Sequence, residues 1–413
     1  MRIFRDLTPL ERKTFLLHLL ASAFEGSAFA LWWIHDFFLK KTLHGENWQV
    51  WILVSLWPVA NLTSVYFAGK AEEGRGLKPY LVAAALLGRL PLVLMAFASS
   101  IPVFLGLHAL YSLSFAVAKP AQTAILQANY REGRRAELFG WAWTVTVALG
   151  GLGSLGAGTL LDKFPSIYHL LLPLEGILGA CYCLTLAAIP LASKPAPPSC
   201  QKREGLLGAT ARTIRVFKEN PAYLKYQINF MIYGLAFMVV LPVVPVLATK
   251  DLGLDYFQFT LARGILGPGI SLLFMPWFGR KLDRLGPLRS SAMAFAVFSL
   301  YPLFLGLSPW IGVPFHSFWF FLGFAFYGVA MGGLMVIWHM GAIYYAPPGM
   351  TATYQGIHVT MTGLRGLVGP LAGYLCLTYL GTTVPFALSV TLFLAAAWLM
   401  QRQFRSERRQ HPD

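Results

Sequence analysis

Charge is scarce in this chain. Asp, Glu, Lys and Arg make up 12% of its residues, about half the share of an ordinary globular protein. Only 18 acids stand against 33 Lys and Arg. So few charges could not cover a water-soluble fold of 413 residues, which excludes a soluble enzyme and a disordered tail. Cysteine is scarce as well: Cys181, Cys183, Cys200 and Cys376 offer no CxxC pair and no neighbouring His. That excludes a secreted disulfide scaffold and fits small buried thiols in a reducing compartment. The sequence also lacks G-x-x-x-x-G-K-[ST], H-E-x-x-H and G-x-S-x-G; the stretch Leu152 to Gly156 misses the first glycine of the last. P-loop ATP hydrolysis, zinc proteolysis and serine-hydrolase chemistry therefore have no carrier. No enzyme activity, cofactor or metal site is expected.

Apolar runs are abundant instead. The nine apolar residue types account for 56% of the chain, which holds 12 Trp, 17 Tyr and 31 Phe. Runs of roughly 20 residues, long enough to cross a bilayer as helix, occur at 14–39, 48–69, 79–98, 101–127, 139–161 and 167–192. After a polar stretch with Pro195, Pro197 and Pro198 they resume at 223–249, 256–279, 288–308, 316–343, 352–379 and 383–401. The first run follows Arg2, Arg5, Arg12 and Lys13 as in a signal peptide, but it is too long and has no small-residue cleavage site. It reads as a retained span. The expected fold is all-α and integral to the membrane, with twelve transmembrane helices. Residues 1–192 would form one six-helix bundle, 193–222 a cytoplasmic linker, and 223–413 a second bundle with a basic tail.

Charge sets the orientation. Of the 33 Lys and Arg, 25 fall in the N-terminus, the loops at 70–78, 131–137, 194–225 and 280–289, and the tail from Arg402 to Arg409. The opposite loops carry Lys40, Lys41, Lys163 and Lys250. The positive-inside rule places both termini and the central loop in the cytoplasm, with the chain multi-pass in the cytoplasmic (inner) membrane. The net charge of +15 is thus a topology signal and not a nucleic-acid footprint. In the linker, Leu207, Ile214 and Phe217 can share a face opposite Arg212, Arg215 and Lys218, as a short interfacial helix would.

The two halves repeat. Gly69, Glu73 and Gly76 follow the second run as Gly279, Asp283 and Gly286 follow the eighth, and Gly153 and Gly156 in the fifth run match Gly366 and Gly369 in the eleventh. Gly279-x-x-x-Asp283-Arg284-x-Gly286 resembles the loop motif of the major facilitator superfamily, at the position that family places it. The first copy departs from it, with Glu73 for Asp and Gly74 for Arg. The resemblance implies two six-helix bundles that rock about a central site, giving alternating access by symport or antiport. Spans 1, 4, 7 and 10 would line the cavity, and Gly279, Asp283, Arg284, Gly286 and Glu73 would form gating loops.

Ionisable groups within the spans are costly unless paired or hydrated, so each is a functional candidate. His18, Glu25, Trp32 and Asp36 fall on one face of the first span. Glu25, near mid-membrane, is the first candidate for proton coupling, with a structural ion pair as its alternative; Asp36 is the second. Lys119 shares a face with His108 and Ser112, next to Pro120; Arg365 shares one with Tyr354 and His358. Arg263 precedes Pro268, and His339 follows Trp338. Trp32, Lys119, Arg263, His339, His358 and Arg365 are the substrate-binding candidates. The cations exceed the acids by one, which favours a small organic anion or zwitterion. Arg89 and Glu175 sit on outer spans, where a structural role is the simpler expectation. The expected partners are a solute, protons and membrane lipids, and the protein is expected to be a monomer. The other class in view is a facilitator-like fold that handles lipid or assists assembly without solute or proton coupling.

Overall fold

The structure of the protein, a computed structural model, describes residues 6–63, 77–97, 99–191, 206–312, 315–347 and 350–410. Glu73 lies outside the described residues. Leu207 and His339 sit on described helices, but their side chains do not belong to the described set. No strand occurs among the described residues. Helices α1 (Pro9–Trp32), α2 (His35–Lys41) and α3 (Asn47–Asn61) come first. Then α4 (Leu77–Ala83) continues through a π-helical turn at Ala84–Arg89 into 3-10 helix at Leu90–Ala96. Next are α5 (Ile101–Asn129), α6 (Glu132–Lys163), α7 (Tyr168–Ala187) and α8 (Leu206–Glu219). Helices α9 (Pro221–Val239), α10 (Val244–Val246) and α11 (Tyr256–Thr260) follow, with π-helical turns at Leu247–Asp251 and Leu261–Leu266. The rest are α12 (Gly267–Phe298), α13 (Leu300–Leu307), α14 (Phe315–Met340), α15 (Thr351–Leu380) and α16 (Thr383–Gln410).

Nine stretches among the described residues are long and apolar enough to cross a membrane. One of them, Tyr256–Trp310, is 55 residues long and carries expected spans eight and nine together. It reverses at Gly286, where φ is 72° and ψ is 175°. That region is open in practice only to glycine. The expected loop at 280–289 is therefore mostly helix, with a single-residue break. The expected spans two and eleven correspond to α3 and α15. The expected interfacial helix is α8, in which Val216 is buried, Ile214 is exposed, and Phe217 packs on Tyr223.

Proline explains the π-helical turns in spans three and eight. Pro91 and Pro268 lack the N–H that would bond Leu87 and Gly264 four residues back, and their rings crowd those carbonyls. In each case the unserved carbonyl lies inside the π-helical segment, Ala84–Arg89 or Leu261–Leu266. Arg89 and Arg263 both sit on these widened turns.

The chain divides into two compact units. One comprises residues 1–35 and 60–203, the other 36–59 and 204–413. The boundary near 203 falls in the expected linker, while α2 and most of α3 pack with the later helices. In the first unit α1 packs on α6 and α7, with a core of small and branched side chains such as Ala21, Leu81, Ala118 and Ile125. Helix α1 starts on a capping box, Thr8 and Glu11 exchanging side-chain and backbone bonds, with Pro9 in the first turn. In the second unit α12 packs on α14 and α16, and α9 on α15 and α16. Gly366 lets α15 approach Pro58 of α3 to a distance that any Cβ would prevent.

Candidate functional site

The first unit gathers its buried polar groups around α1. Glu25 is 2% exposed and accepts a 2.8 Å bond from Lys119 Nζ, whose side chain is 41% exposed. The pair thus has one buried and one accessible member. Lys119 also reaches Gln122 at 3.3 Å, and Gln122 accepts from the Tyr182 hydroxyl at 3.0 Å. His18 lies 3.4 Å from Gln122 and 3.2 Å from the Tyr130 hydroxyl. The ion pair expected as the alternative for Glu25, with a cation of the fourth or eleventh span, has its counterpart in this contact with Lys119.

One to three turns further along α1 is a second cluster. His35 Nε2 lies 2.7 Å from Glu175 of α7, and His35 Nδ1 lies 2.7 Å from His108 Nε2 of α5. His108 Nδ1 faces the Phe104 carbonyl at 2.9 Å. Trp32 stacks on Tyr111 at 5.3 Å and lies over His108 at 6.1 Å. Arg89, fully buried, donates from Nε to Ser114 at 2.6 Å and lies over the rings of Tyr111 and Phe115. Its two terminal nitrogens make no hydrogen bond among the described residues. The sequence marked His108 and Glu175 singly; nothing in it linked them to His35.

The second unit holds two arginines differently. Asp36 of α2 receives Arg263 Nη1 on both carboxylate oxygens, at 2.8 and 2.7 Å, and caps the Phe37 N–H. This contact joins residues 227 apart in the chain, and Arg263 makes it from the π-helical turn at Leu261–Leu266. Arg365 is 3% exposed. It donates to the Phe230 carbonyl at 3.0 Å and to the Thr362 hydroxyl at 2.6 Å, and its Nε has no partner. No carboxylate is recorded against it among the described residues. Gly234 makes room for it, because a Cβ there would overlap the guanidinium. His358 faces Gln227 at 3.1 Å and packs edge-on to Phe230 and Trp338.

In the motif after span eight, Asp283 and Arg284 are exposed while Gly279 and Gly286 are partly buried. Burial, with the Asp283 carboxylate nearby, raises the Tyr344 phenol above its ordinary value. Among the described residues no group of three or more His, Cys, Asp or Glu could hold a metal ion.

Long apolar helices with a few buried, mutually compensating charges define a polytopic membrane protein of the transporter kind. The Major Facilitator Superfamily model matches residues 14–370, and the chain belongs to that family. It is 25% identical over 360 residues to the multidrug resistance protein MdtG of Serratia proteamaculans (strain 568), covering 83% of this chain and 81% of that one. It is 23% identical to the proton-coupled antiporter flippase LtaA of Staphylococcus saprophyticus, covering 83% of each. The crystal structure of a POT family transporter in complex with 5-aminolevulinic acid superposes with a TM-score of 0.75 at 14% identity, over 96% of each chain. The fold is that of the family, and members of the family are transporters and not enzymes. This chain is a multi-pass secondary transporter.

Proposed function

We propose that the protein moves a small organic anion or zwitterion across the cytoplasmic membrane by alternating access, in exchange or together with protons. The observation that carries this is Arg365. A buried arginine costs several kcal/mol unless its charge is met. Arg263 has Asp36 and Lys119 has Glu25, but Arg365 has a carbonyl, a hydroxyl and the faces of Phe230 and Tyr233, with no carboxylate among the described residues. An anionic group on the solute would complete it through the free Nε. In the first unit the accessible cation beside Glu25 is Lys119. A solute anion that takes Lys119 leaves Glu25 buried without its cation, and a proton then neutralises it. Release of the solute reverses both steps, which links the two fluxes. Both termini lie in the cytoplasm on the charge asymmetry, and the halves at 1–192 and 223–413 are the moving bodies. Trp32 and His358 are further binding candidates in this reading, Asp36 belongs to the coupling set and the Asp283–Arg284 loop to the gate; the side chain of the remaining candidate, His339, lies outside the described residues. The unit is a monomer in lipid.

The test is thermal stabilisation of the purified protein across a panel of organic anions, zwitterions, cations and lipophilic drugs. Solutes that stabilise are then added to proteoliposomes with an internal pH dye. Anions or zwitterions should stabilise the native protein and fail to stabilise Arg365→Leu. Equal stabilisation of the variant would remove Arg365 from the site. Substrate-induced acidification or alkalinisation that persists in Glu25→Gln would sink the coupling role of Glu25. A second reading, lipid handling, draws its support from the flippase among the relatives. Loss of a headgroup-labelled lipid from one leaflet, with no response to any soluble solute, would favour it.

A further inference from the structure

The His35 cluster has a property that Glu25 lacks, because the number of hydrogens its contacts need follows by elimination. The Phe104 carbonyl can only accept, so His108 Nδ1 carries a hydrogen. The 2.7 Å contact between His108 Nε2 and His35 Nδ1 needs one hydrogen between two ring nitrogens. The 2.7 Å contact between His35 Nε2 and Glu175 needs another. Two neutral imidazoles with one hydrogen already on His108 Nδ1 leave a single hydrogen for these two contacts. The second must be an added proton.

We propose that Glu175, His35 and His108 form a binding site for one proton at the break between α1 and α2, apart from the Glu25–Lys119 pair. Its purpose rests on the proton-coupled reading above; its existence does not.

Three arrangements satisfy the geometry with the same proton count. Glu175 can hold the proton as a carboxylic acid donating to His35. His35 can hold it as an imidazolium between a carboxylate and a neutral His108. His108 can hold it, with His35 turned to its Nε2–H tautomer. The proton passes from Glu175 to His35 Nε2 while the Nδ1 hydrogen of His35 passes to His108 Nε2, so bonds made and broken balance at each step. Loss of the proton leaves a carboxylate and two neutral rings, and one of the 2.7 Å contacts must open. Occupancy is thereby tied to the backbone at Trp33 and Ile34, where the helix breaks, and His35 is followed directly by Asp36, which holds Arg263.

The surroundings supply a second state. Glu175 Oε1 and both terminal nitrogens of Arg89 make no hydrogen bond. The Tyr111 hydroxyl lies near both side chains without a well-formed bond to either. Gly179, one turn beyond Glu175, leaves the space Arg89 occupies, since a Cβ there would stand 3.2 Å from Nη1. Among the described residues Arg89 and Tyr111 face Glu175, and Glu25, Tyr182 and Cys183 lie beyond Arg89. Without the proton, the carboxylate would be met by Arg89. A metal ion does not explain the cluster: Glu175 and His108 use opposite nitrogens of His35, so no point is common to all three.

The experiment uses the full chain in nanodiscs with ring-labelled histidine, read by nitrogen NMR and by infrared difference spectra at neutral pH. The expected result is a hydrogen on His108 Nδ1 and one further proton on the trio, seen as a protonated carboxyl or as an imidazolium. Glu175→Gln should fold, since its amide donates to His35 as the acid does, and should remove the carboxyl band and the imidazolium signal. His108→Phe provides a second variant, and it must shift the His35 Nδ1 resonance. An ionised Glu175 beside two neutral rings, or signals unchanged in both variants, overturns the site. Substrate-driven proton flux in liposomes reads the coupling separately; its absence would remove that reading and leave the proton count standing.

Discussion

The two units bury different kinds of charge. The first encloses Glu11, His18, Glu25, His35, His108 and Glu175 together with Arg89, so most of its buried ionisable groups can gain or lose a proton. The second encloses Asp36, Lys40, His358 and Arg365, and its centre is a stack of rings, with Tyr233 on Phe295 and Phe298 on Phe393. Arginine does not deprotonate in proteins. On the proposed reading the proton is carried in the first unit, which among the described residues buries three Glu and three His against one Asp and one His in the second, and the anion is met by Arg365. The division of labour follows from residue chemistry and not from position in the chain.

The largest expected effect breaks the second unit's part. Arg365→Leu should cost roughly 2–5 kcal/mol of affinity for an anionic solute, the range for truncating a buried hydrogen-bonded charge, read as the shift in half-saturating solute in the thermal assay. Gly234→Val should give a comparable loss while keeping the arginine, because the added carbons take the space of the guanidinium. Normal affinity in Gly234→Val would show that Arg365 works equally well elsewhere. Next comes an asymmetry within the first unit. Lys119→Met leaves Glu25 buried and unpaired, which should cost about 3 kcal/mol or more of stability. Glu25→Gln leaves Lys119 with 41% of its side chain exposed, where water can take over, and should cost clearly less. Equal losses in chemical denaturation would mean that Lys119 is not solvated as its exposure implies.

Much of this was legible in the sequence, and the limits have physical causes. Apolar runs report helices directly, because a spanning helix must satisfy its backbone internally and face lipid over its whole length. The placement of both termini in the cytoplasm rests on the charge asymmetry of the loops alone. Glu25 and Arg365 were visible as charges in an apolar setting, and a cation for Glu25 could be sought in the spans, but spacing along one helix did not single out Lys119. Lys119 is 94 residues from Glu25, and Glu175 is 140 from His35. Helical spacing shows which residues share a face, not which faces meet. The π-helical turns that carry Arg89 and Arg263 were hidden too: Pro91 and Pro268 were visible, but prolines in a span can kink, break or widen a helix. The grouping of residues 36–59 with the later helices belongs to the same class of tertiary fact.

Smaller effects separate backbone from side-chain causes. Gly286→Ala meets nothing within 4 Å of the new Cβ, so its whole cost is the conformation at φ 72°, about 1–3 kcal/mol. Asp283 and Arg284, being exposed, should tolerate alanine with little change in stability. A transport defect in either, at normal stability, would assign the loop a gating role. Stability loss without a transport defect would reduce it to a turn.

The smallest effect provides the reference for the rest. Arg134 and Glu137 form an i,i+3 pair at 3.3 Å, in which the acid is 43% exposed and the cation 25%. Glu137 keeps its access to water, and the Coulomb gain at its side of the pair is offset by the side-chain entropy of holding the two groups together. Glu137→Gln should therefore change stability by less than about 0.5 kcal/mol and leave solute affinity untouched. The contrast with Lys119→Met isolates burial as the variable, since each variant deletes one member of a single ion pair in the same unit. If Glu137→Gln cost as much as Lys119→Met, ion pairs in this protein would owe their strength to something other than the exclusion of water. The assignment of function to the buried charges would then lose its footing.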